Sequence, residues 1–413
     1  MPVDRLTTVL EHHVAGLQEA GTAKGAEKVV VEVRPARGGR GPRFLLEGQG
    51  DKEFIRMNSN SYLGMGLRPE VMEAEEKGTA RYGAGPGAVR FISGSYAPHL
   101  ALERELAAFH GRDAGMIFSS AYATIVSTIV PLVTPDTVLI SDELNHNCII
   151  NAMRLARPQG KAVYAHNDMA QLEAALKDWS GKAKRALVVT DGIFSMRGDH
   201  APLDEVMALC AKYDAGFEEN AVCVVDDSHG VGAFGRTGRG VEEYTGAPKV
   251  DILVGTLGKA FGVNGGYVVG NAATIAFLRE SSPMYIYSNP ITVGEAEAAR
   301  AALRIVASPE GEALLERLRG LTRRFEEGLG RVGIETIPGE HPVVPLMIRD
   351  TKKTHDLVRH LFEHGVLVTG LAFPVVPRGD EEIRAQVNAD HTESDIDYVL
   401  SVLEAYRRVE GLA

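Results

Sequence analysis

Residues 254–266 read VGTLGKAFGVNGG and place a single lysine, Lys259, among glycines directly after the apolar run 252–254. A lysine side chain normally lies on a hydrated surface. Here its sequence neighbours are small or apolar, an environment in which an amine loses hydration and becomes nucleophilic near neutral pH. Two interpretations stay open at this point: Lys259 is a reactive amine at the end of a buried strand, or it is an exposed loop residue.

Short apolar segments alternate with helical segments around this stretch, from about residue 60 to 295. Such alternation predicts an α/β fold in which helices cover both faces of a mainly parallel sheet. The predicted strands are 115–118, 138–140, 186–189, 222–225 and 252–254.

The N-terminal region predicts an amphipathic helix, because Leu6, Val9, Leu10, Val14 and Leu17 follow helical spacing. A basic stretch with arginines at 34, 37, 40 and 43 follows, and we interpret it as a solvated loop, with a local anion contact as the alternative. The segment 44–57, FLLEGQGDKEFIRM, then predicts a hairpin with a Gly-Asp turn.

The C-terminal region predicts a smaller α+β unit. Its last helix has a capping signature, Thr392 followed by Asp395, and an apolar stripe from Ile396 to Leu403. The other predicted elements are a helix at 314–329, a strand at 343–348, a helix at 353–363 ended by Gly365, and a strand at 366–369. We therefore divide the chain into an N-terminal helix and hairpin segment (1–58), a large domain (59–298) and a small α+β domain (299–413).

Composition narrows the class of protein. The 413 residues are 45% hydrophobic and 24% charged, as in ordinary globular proteins, and the net charge of −11 argues against a general nucleic-acid binder. Three widely spaced cysteines, Cys148, Cys210 and Cys223, give neither zinc-site spacing nor a disulfide framework, which favours a reducing compartment. With no signal-like or membrane-spanning apolar run in the sequence, we expect a cytoplasmic protein with no membrane partner.

Polar residues collect directly after the predicted strands. In open α/β sheets, ligands bind at the carboxyl ends of the strands, so five such strand ends predict one shared site. The residues concerned are Ser119, Ser120, Asp142, His146, Asp191, Ser195, Asp226, His229, Thr256 and Lys259.

This set suits the chemistry of pyridoxal 5'-phosphate (PLP). Lys259 could form a Schiff base with an aldehyde, and Asp226 could pair with a protonated pyridine nitrogen. His229 could donate to an oxygen of the same ring, and His146 could stack on a flat ring. Thr256, Ser120 and the backbone N–H groups that open the next helix could hold a phosphate.

Each residue also has a structural alternative. His146 and His229 could be satisfied core histidines, Asp226 could cap a turn, and Ser195 could be a helix N-cap. His360 and His364 are spaced as a metal pair, but no third ligand is evident, so we predict a solvated helix face and no metal.

Two nucleotide-binding motifs fail on spacing. GAGPG at 83–87 follows no predicted strand, and its third glycine comes one position too early for a dinucleotide loop. The Gly-Lys pair at 258–259 lacks the glycine of a phosphate-binding loop, where Leu253 stands, and its Ser or Thr, where Ala260 stands.

From about residue 56 to 410 the chain resembles the α-oxoamine synthases, PLP enzymes of fold type I (aspartate aminotransferase-like). The motifs that carry the resemblance are NSYLG (60–64), VRFISGS (89–95), SDELNH (141–146), TDGIFSM (190–196), DDSHGVGAFG (226–235), GTLGKAFG (255–262) and EIRAQV (382–387). VRFISG, SDELNH, TDGIFSMRGDHAPL and the segment FPVVPRG…IRAQVNADHT make glycine C-acetyltransferase the nearest activity within the family. The resemblance implies a large domain with a mainly parallel seven-stranded sheet and a smaller α+β domain.

The resemblance also implies roles for individual residues. Lys259 would be the Schiff-base lysine, Asp226 the partner of the pyridinium nitrogen, His229 a ligand of the ring hydroxyl oxygen, and His146 the stacking ring, with these four as catalytic residues. The other implied contacts are Ser195 against the cofactor; Ser120, Ala121, Tyr122 and Thr256 at its phosphate; Ser288 at the phosphate of a partner subunit in a homodimer; and Asn60 and Arg384 at the amino-acid carboxylate.

The activity implied is condensation of glycine with acetyl-CoA to 2-amino-3-oxobutyrate and CoA, a step of threonine breakdown or its reverse. Departures such as SSAYAT (119–124) and SNPIT (288–292) leave the acyl chain and the amino acid open. One alternative is an 8-amino-7-oxononanoate synthase, which joins alanine to a pimeloyl thioester and releases CO2. An aminotransferase of the same fold and a non-catalytic PLP-fold binding module are more distant alternatives.

Overall fold

The protein is described from a computed structural model, which covers residues 3–20, 22–23, 25–373 and 376–410. Two residues of the FPVVPRG segment, 374–375, lie outside the described residues. The helices are α1 (Asp4–Glu19), α2 (Pro69–Tyr82), α3 (Ala97–His110), α4 (Ala121–Leu132), α5 (Asn147–Leu155), α6 (Met169–Trp179), α7 (Leu203–Tyr213), α8 (Val241–Thr245), α9 (Ala272–Ser281), α10 (Pro283–Ile286), α11 (Val293–Val306), α12 (Pro309–Val332), α13 (Thr351–Glu363) and α14 (Glu393–Glu410).

Most of the strands belong to two sheets. The strands are β1 (Val30–Arg34), β2 (Arg43–Leu46), β3 (Ile55–Arg56), β4 (Ala114–Phe118), β5 (Thr137–Asp142), β6 (Gly160–Tyr164), β7 (Arg185–Asp191), β8 (Ala221–Asp226), β9 (Ile252–Thr256), β10 (Gly266–Gly270), β11 (Glu335–Thr336), β12 (Val343–Met347), β13 (Val366–Leu367), β14 (Thr369–Leu371) and β15 (Glu382–Gln386).

The central sheet has seven strands in the order β4-β10-β9-β8-β7-β5-β6. Strands β9, β8, β7, β5 and β6 run parallel, whereas β10 is antiparallel to both of its neighbours, β4 and β9. Strands β5 and β8 read as nearly continuous apolar runs because helices bury both faces of the sheet. The α/β fold of type I expected from the sequence is therefore confirmed.

Two strands of this sheet escaped the pattern analysis, β6 and β10. Strand β6, at the sheet edge, alternates partly buried and exposed residues up to its buried last residue, so it lacks the apolar run of its neighbours. Strand β10 follows the Lys259 turn and returns antiparallel beside β9, with Gly266 opposite Thr256. It thus closes the turn that carries Lys259 against the central sheet.

A smaller antiparallel sheet, β11-β12-β15-β14, forms the C-terminal α+β unit. The predicted strand at 366–369 is divided, because β13 pairs with β3 while β14 pairs with β15. The predicted cap of the last helix is confirmed, since Thr392 Oγ1 accepts from the Asp395 N–H at 3.2 Å. Helix α11 crosses position 298/299, so the division into domains there stays a prediction.

The basic stretch near the N-terminus is not a solvated loop throughout, and that prediction was wrong. Arg34 and Arg43 lie in β1 and β2, which pair with each other. Arg43 forms an ion pair with the buried Asp395, and Arg34 forms one with Glu53 at 3.0 Å. The predicted hairpin at 44–57 is present as one antiparallel bridge between Phe44 and Phe54. Tertiary partners distant in sequence therefore order this segment.

Helix α1 forms as predicted, but none of its residues is buried in the described chain. Within the described residues, no helix is long and apolar enough to cross a membrane.

Candidate active site

A cavity lies at the carboxyl edge of the central sheet, where the ends of β5, β7, β8 and β9 converge. Six of its eleven lining residues were predicted as site residues from strand ends, and two more, Ala121 and Tyr122, were predicted from the resemblance. The lining residues are Ala121, Tyr122, His146, Cys148, Asp191, Ile193, Ser195, Asp226, Ser228, His229 and Lys259. We call this space the cofactor cavity. The predicted residues Asn60, Ser120, Thr256, Ser288 and Arg384 are not among its lining.

Lys259 projects from the turn between β9 and β10 and is partly buried. Backbone hydrogen bonds close this turn, from Leu257 N to Gly265 O at 2.9 Å and from Gly262 N to Lys259 O at 2.9 Å. Burial lowers the pKa of Lys259 to about 8, although the carboxylates of Asp226 and Asp191 act in the opposite direction. A substantial fraction of the amine is therefore uncharged near neutral pH, which nucleophilic attack requires.

Two of the glycines around Lys259 are there because the backbone approaches another segment. A Cβ on Gly262, whose φ is +69°, would lie 2.2 Å from the backbone nitrogen of Gly66. A Cβ on Gly266 would lie 2.5 Å from the backbone nitrogen of Ala121, the first residue of α4. Gly262 and Gly266 thus let the lysine turn pack against the loop before α2 and against the start of α4.

Asp226 ends β8 as a buried carboxylate, only 6% exposed. Its Oδ1 accepts hydrogen bonds from Ser228 N at 3.1 Å and from Ser228 Oγ at 2.6 Å. Its Oδ2 accepts only a long bond from the Cys148 thiol at 3.5 Å. No cationic side chain of the described residues forms an ion pair with it, so this buried carboxylate suits a cationic ligand. The next residue, Asp227, faces away and accepts from Val241 N at 2.8 Å.

Asp191 lies beside Asp226, because the two residues are partners in the register of β7 and β8. Its Oδ2 accepts from the His146 N–H at 3.0 Å, whereas its buried Oδ1 has no hydrogen-bond partner in the described chain. Burial raises the pKa of Asp191 well above its usual value, and the neighbouring Asp226 raises it further. The sequence analysis noted Asp191 at a strand end but gave it no role.

His146 caps helix α5, and its ring stays exposed beside the cavity. Its Nδ1 accepts from Cys148 N at 3.2 Å and lies 2.9 Å from the Cys148 sulfur. Burial and the nearby Lys259 lower the pKa of His146, against the influence of Asp226, so the ring is neutral at physiological pH. A neutral ring with an accessible face is what stacking on an aromatic ligand needs. Sequence reasoning missed Cys148, which a buried position two residues after His146 could have suggested.

His229 is buried and hydrogen-bonded to Tyr62, whose hydroxyl lies 2.6 Å from Nδ1 of the histidine. Burial lowers the pKa of His229 well below its usual value, and Lys259 and Arg384 lower it further. A neutral imidazole keeps one donor and one acceptor nitrogen, so the Tyr62 contact sets which nitrogen faces the cavity. Tyr62 belongs to the NSYLG motif, but sequence reasoning did not assign it to the site.

The start of α4 provides the predicted phosphate end. Ser120 is the N-cap of α4 and accepts from Ala123 N at 3.1 Å, which leaves the Ala121 and Tyr122 N–H groups without helical partners. The hydroxyl of Thr256 donates to Gly265 O at 3.2 Å and accepts from Gly258 N at 3.1 Å. Thr256 therefore supports the lysine turn.

Arg384 and Asn60 meet near the cofactor cavity, as the predicted carboxylate site requires. The Asn60 Oδ1 atom accepts from Arg384 Nη2 at 3.1 Å. Arg384 also donates through Nε to the backbone oxygen of Ser195, so its guanidinium is anchored against the loop that carries Ser195. Three predicted residues from three distant parts of the chain are thus connected.

Ser288 lies away from this cavity, in the segment between α10 and α11, where its hydroxyl contacts Asn289 O at 3.5 Å. Its expected role toward a partner subunit stays a prediction. In the described part of the chain, no group of three or more His, Cys, Asp and Glu side chains is placed to hold a metal ion.

The residues present fit PLP. The buried Asp226 has no cation paired with it, the Lys259 amine has a lowered pKa, the rings of His146 and His229 are neutral, and two unpaired N–H groups open a helix at the cavity. Asp226 suits a cationic ring nitrogen, and the Lys259 amine suits an aldehyde. The two neutral histidine rings suit an aromatic ring with a hydroxyl group, and the N–H groups suit a phosphate.

Comparison with known proteins agrees with this chemistry. The sequence profile of the family described as aminotransferase class I and II matches residues 52–403. The protein named 8-amino-7-oxononanoate synthase from Geobacter sulfurreducens is 38% identical over 381 residues, which cover 92% of this chain and 95% of that protein. A protein of the same name from Exiguobacterium sibiricum is 37% identical over 410 residues, covering 99% of this chain and 98% of that protein.

Among solved structures, the serine palmitoyltransferase of Sphingomonas wittichii superposes with a TM-score of 0.88 and is 26% identical. The match covers 99% of each chain, so both the large and the small unit have counterparts there.

Proposed function

The chain belongs to the class I and II aminotransferase family of PLP-dependent enzymes, and from this premise we propose that it is an α-oxoamine synthase that condenses alanine with a pimeloyl thioester. The observation that carries the proposal is the convergence of Lys259, an uncompensated Asp226 and His229 on one cavity, in a chain whose relatives match it over nearly its whole length. The reaction would release CO2 and a free thiol, as 8-amino-7-oxononanoate synthesis does.

The relatives reported above correct the finer expectation from the sequence. Glycine C-acetyltransferase was the first expectation, and 8-amino-7-oxononanoate synthase was the alternative. The relatives at 37% and 38% identity carry the name of the alternative. In this proposal the motifs that suggested acetyl transfer contribute mainly residues for the cofactor and the amino acid, such as His146, Ser195 and Arg384, and therefore do not decide the acyl chain.

PLP, when bound, supplies an electron sink for negative charge that develops at the amino-acid Cα. Lys259 would hold the cofactor, Asp226 its ring nitrogen, His229 its ring oxygen, and His146 its face. The Ala121 and Tyr122 amides, with Thr256 behind the turn, would hold the phosphate, and Ser195 would line the cavity. Asp226 forms no ion pair with a cationic side chain of the described residues, so it would favour the protonated form of the ring nitrogen. A protonated ring accepts the negative charge that develops at Cα more readily than a neutral one.

Lys259 also moves a proton in this proposal. Its amine has a pKa of about 8, close to neutral pH, where a general base combines a useful basic fraction with sufficient basicity. The Nζ atom would accept the Cα proton of the bound amino acid. Arg384 and Asn60 would bind the carboxylate and so fix which Cα bond faces Lys259.

A homodimer is part of the proposal, with Ser288 reaching the phosphate site of the partner subunit. Three large apolar side chains near this region are strongly exposed in the single chain: Phe91 at 63%, Ile92 at 65% and Tyr287 at 77%. Clustered exposed apolar residues mark interaction surfaces. Sedimentation of the holoenzyme tests the proposed dimer. A monomer at micromolar concentration would contradict the role of Ser288 at the phosphate site of a partner subunit.

The activity is tested with a panel of amino acids against acyl thioesters, with free-thiol release as the readout. Alanine, glycine and serine are each paired with pimeloyl-CoA, acetyl-CoA and palmitoyl-CoA, and CO2 is measured in parallel. We expect alanine with pimeloyl-CoA to give the highest kcat/KM. Thiol release only from glycine and acetyl-CoA would overturn the proposed substrates and restore the acetyltransferase. Amino exchange with a 2-oxo acid and no thiol release would favour an aminotransferase.

A further inference from the structure

A second cavity, of about 260 Å³, lies on the other side of Lys259. Lys259 lines both this space and the cofactor cavity, so a ligand of the second cavity can reach the reacting centre. Its walls come from the N-terminal segment, the loop before α2, the lysine turn and the segment after β15. The residues used below are Phe44, Arg56, Ser59, Ser61, Lys259 and Asp390, and we call the space the Arg56 cavity.

Arg56 is a partly buried cation with no ion-pair partner among the described residues. Its Nη2 donates to Ser59 Oγ at 2.6 Å and to Ser61 Oγ at 3.1 Å, and its Cζ lies 4.4 Å from the centre of the Phe44 ring. In the described chain no hydrogen bond occupies its Nε or Nη1. A guanidinium that is partly desolvated and lacks a carboxylate partner favours an anionic ligand.

Ser59 and Ser61 extend this donor set. Their hydroxyl oxygens lie 2.6 Å apart, so one hydroxyl donates to the other and one O–H stays available. Ser59 Oγ also accepts from Ser61 N at 3.3 Å, which fixes both side chains on the loop. The cluster therefore presents the Nε and Nη1 groups of Arg56 and one hydroxyl, donors that form charge-assisted hydrogen bonds with a carboxylate.

Asp390 gives the Arg56 cavity a negative charge as well. It lies against Gly64, where a Cβ would meet its Oδ2 at 3.0 Å, and it is not within ion-pair distance of Arg56. Burial lowers the pKa of Arg56, and Asp390 partly offsets that shift. Arg56 would therefore attract a ligand carboxylate, and Asp390 would repel it. Substitutions at Arg56 and at Asp390 should consequently change carboxylate binding in opposite directions.

We propose that the Arg56 cavity binds the distal carboxylate of a dicarboxylic acyl thioester, with Arg56, Ser59 and Ser61 as its donors, and thereby selects ω-carboxy acyl chains over plain fatty acyl chains. The inference rests on the proposed acyltransferase function and names the group of the acyl substrate that the Arg56 cavity recognises. The acyl carbonyl would lie toward Lys259 and the distal carboxylate against Arg56. No new covalent step is involved.

The test compares two thioesters of equal chain length, pimeloyl-CoA and heptanoyl-CoA, on the holoenzyme with saturating alanine. The wild type should prefer pimeloyl-CoA in kcat/KM. Arg56→Met should reduce that preference by ~10- to 100-fold, because it removes a charge-assisted hydrogen-bond donor, while heptanoyl-CoA turnover stays within about threefold. Asp390→Asn should raise the preference for pimeloyl-CoA, because it removes a like charge.

Arg40→Met is the matched control, since Arg40 is 63% exposed, pairs with Glu53 and does not line the cavity. Its selectivity should equal that of the wild type. Cofactor absorbance and the melting temperature of each variant verify folding, and Arg56→Lys should recover part of the preference. An equal loss on both thioesters in Arg56→Met would show a structural role and overturn the inference.

This outcome is distinguishable from failure of the proposed function. If another acyl length reacts best in the panel, the same comparison is made with that acyl-CoA and its ω-carboxy counterpart. A wild type that prefers the neutral chain overturns the Arg56 assignment and leaves the acyltransferase intact.

Discussion

Asp191 and Asp226 stand side by side at the carboxyl ends of adjacent parallel strands, as partners in the register of β7 and β8. Asp226 is hydrogen-bonded by Ser228 through Oδ1, whereas Asp191 keeps an unpartnered Oδ1 and a pKa raised by burial and by Asp226. Two identical side chains thus have different surroundings, and only Asp226 has its Oδ1 held by hydrogen bonds.

This difference predicts unequal effects of matched substitutions. Asp226→Asn removes the carboxylate proposed to face the ring nitrogen, so we expect kcat to fall by ~100-fold or more. Asp191→Asn introduces a neutral isostere where burial already raises the pKa of the carboxyl and disfavours its charge, and it leaves Asp226 in place, so its kcat should change by less than about tenfold. Steady-state thiol release measures both. Equal losses in the two variants would contradict the assignment.

The lowered pKa of Lys259 predicts how the apoenzyme takes up its cofactor. Only the uncharged amine attacks an aldehyde, so the rate of PLP attachment should rise with pH through about 8 and level off above it. Stopped-flow absorbance of the apoenzyme mixed with PLP measures the rate. A midpoint near the ordinary lysine value of ~10.4 would show that burial does not act on this amine. Lys259→Ala should give no visible absorption band of covalently bound cofactor.

The contact between Arg384 and Asn60 predicts a specific defect in amino-acid binding. Arg384→Lys keeps the charge but loses the planar fork, so KM for the amino acid should rise by ~10-fold or more. The KM for the acyl thioester and the cofactor spectrum should stay near the wild-type values. Steady-state kinetics with each substrate varied in turn measures this, and a rise in both KM values would indicate a general disturbance of the site.

Glu103 predicts a large effect on stability away from the site. Its Oε1 accepts from Arg90 at 3.0 Å and from Ile117 N at 3.1 Å, its Oε2 accepts from Arg279 at 2.7 Å, and Arg90 and Glu103 are nearly fully buried. Glu103→Ala leaves the buried Arg90 and the partly buried Arg279 without their carboxylate partner, so the free energy of unfolding should fall by ~3–5 kcal/mol.

Denaturant unfolding of the holoenzyme measures the effect of Glu103→Ala. The control is Glu73→Ala, which breaks the exposed pair with Lys77 and should cost less than ~1 kcal/mol. Similar losses of unfolding free energy in the two variants would mean that burial does not determine how much the ion pairs of Glu103 stabilise the fold.

His166 predicts a pH dependence of stability. Burial lowers the pKa of His166, but hydrogen bonds with Asp142 at 3.2 Å and with Asp199 at 3.1 Å outweigh burial and raise this pKa to about 9. The folded pKa is above the unfolded value of ~6.5, so this stabilisation is complete below about pH 6.5 and is lost as the pH rises through 9. Melting temperatures from pH 6 to 10 should therefore decline more steeply in the wild type than in His166→Gln. Parallel curves of melting temperature against pH for the two proteins would contradict the stabilising role of the pairs that His166 forms with Asp142 and Asp199.

The amino-acid sequence by itself determined the fold class and the membership of most of the cofactor cavity. This was possible because parallel strands end at one edge of a sheet, so Asp226, His229 and Lys259 had to lie at that edge once the strands were recognised. The family resemblance of the motifs implied the cofactor and amino-acid roles of single residues, and these roles stay predictions.

Tertiary structure alone decided what those residues can do. Tyr62 bonds to His229 across 167 residues, and Asn60 bonds to Arg384 across 324, and no local pattern encodes such contacts. The raised pKa of Asp191 and the lowered pKa of Lys259 come from burial and neighbours, which depend on packing. The antiparallel strand β10 and the cation at Arg56 without an ion-pair partner likewise emerge only when distant segments meet, because pairing and desolvation are properties of the folded chain.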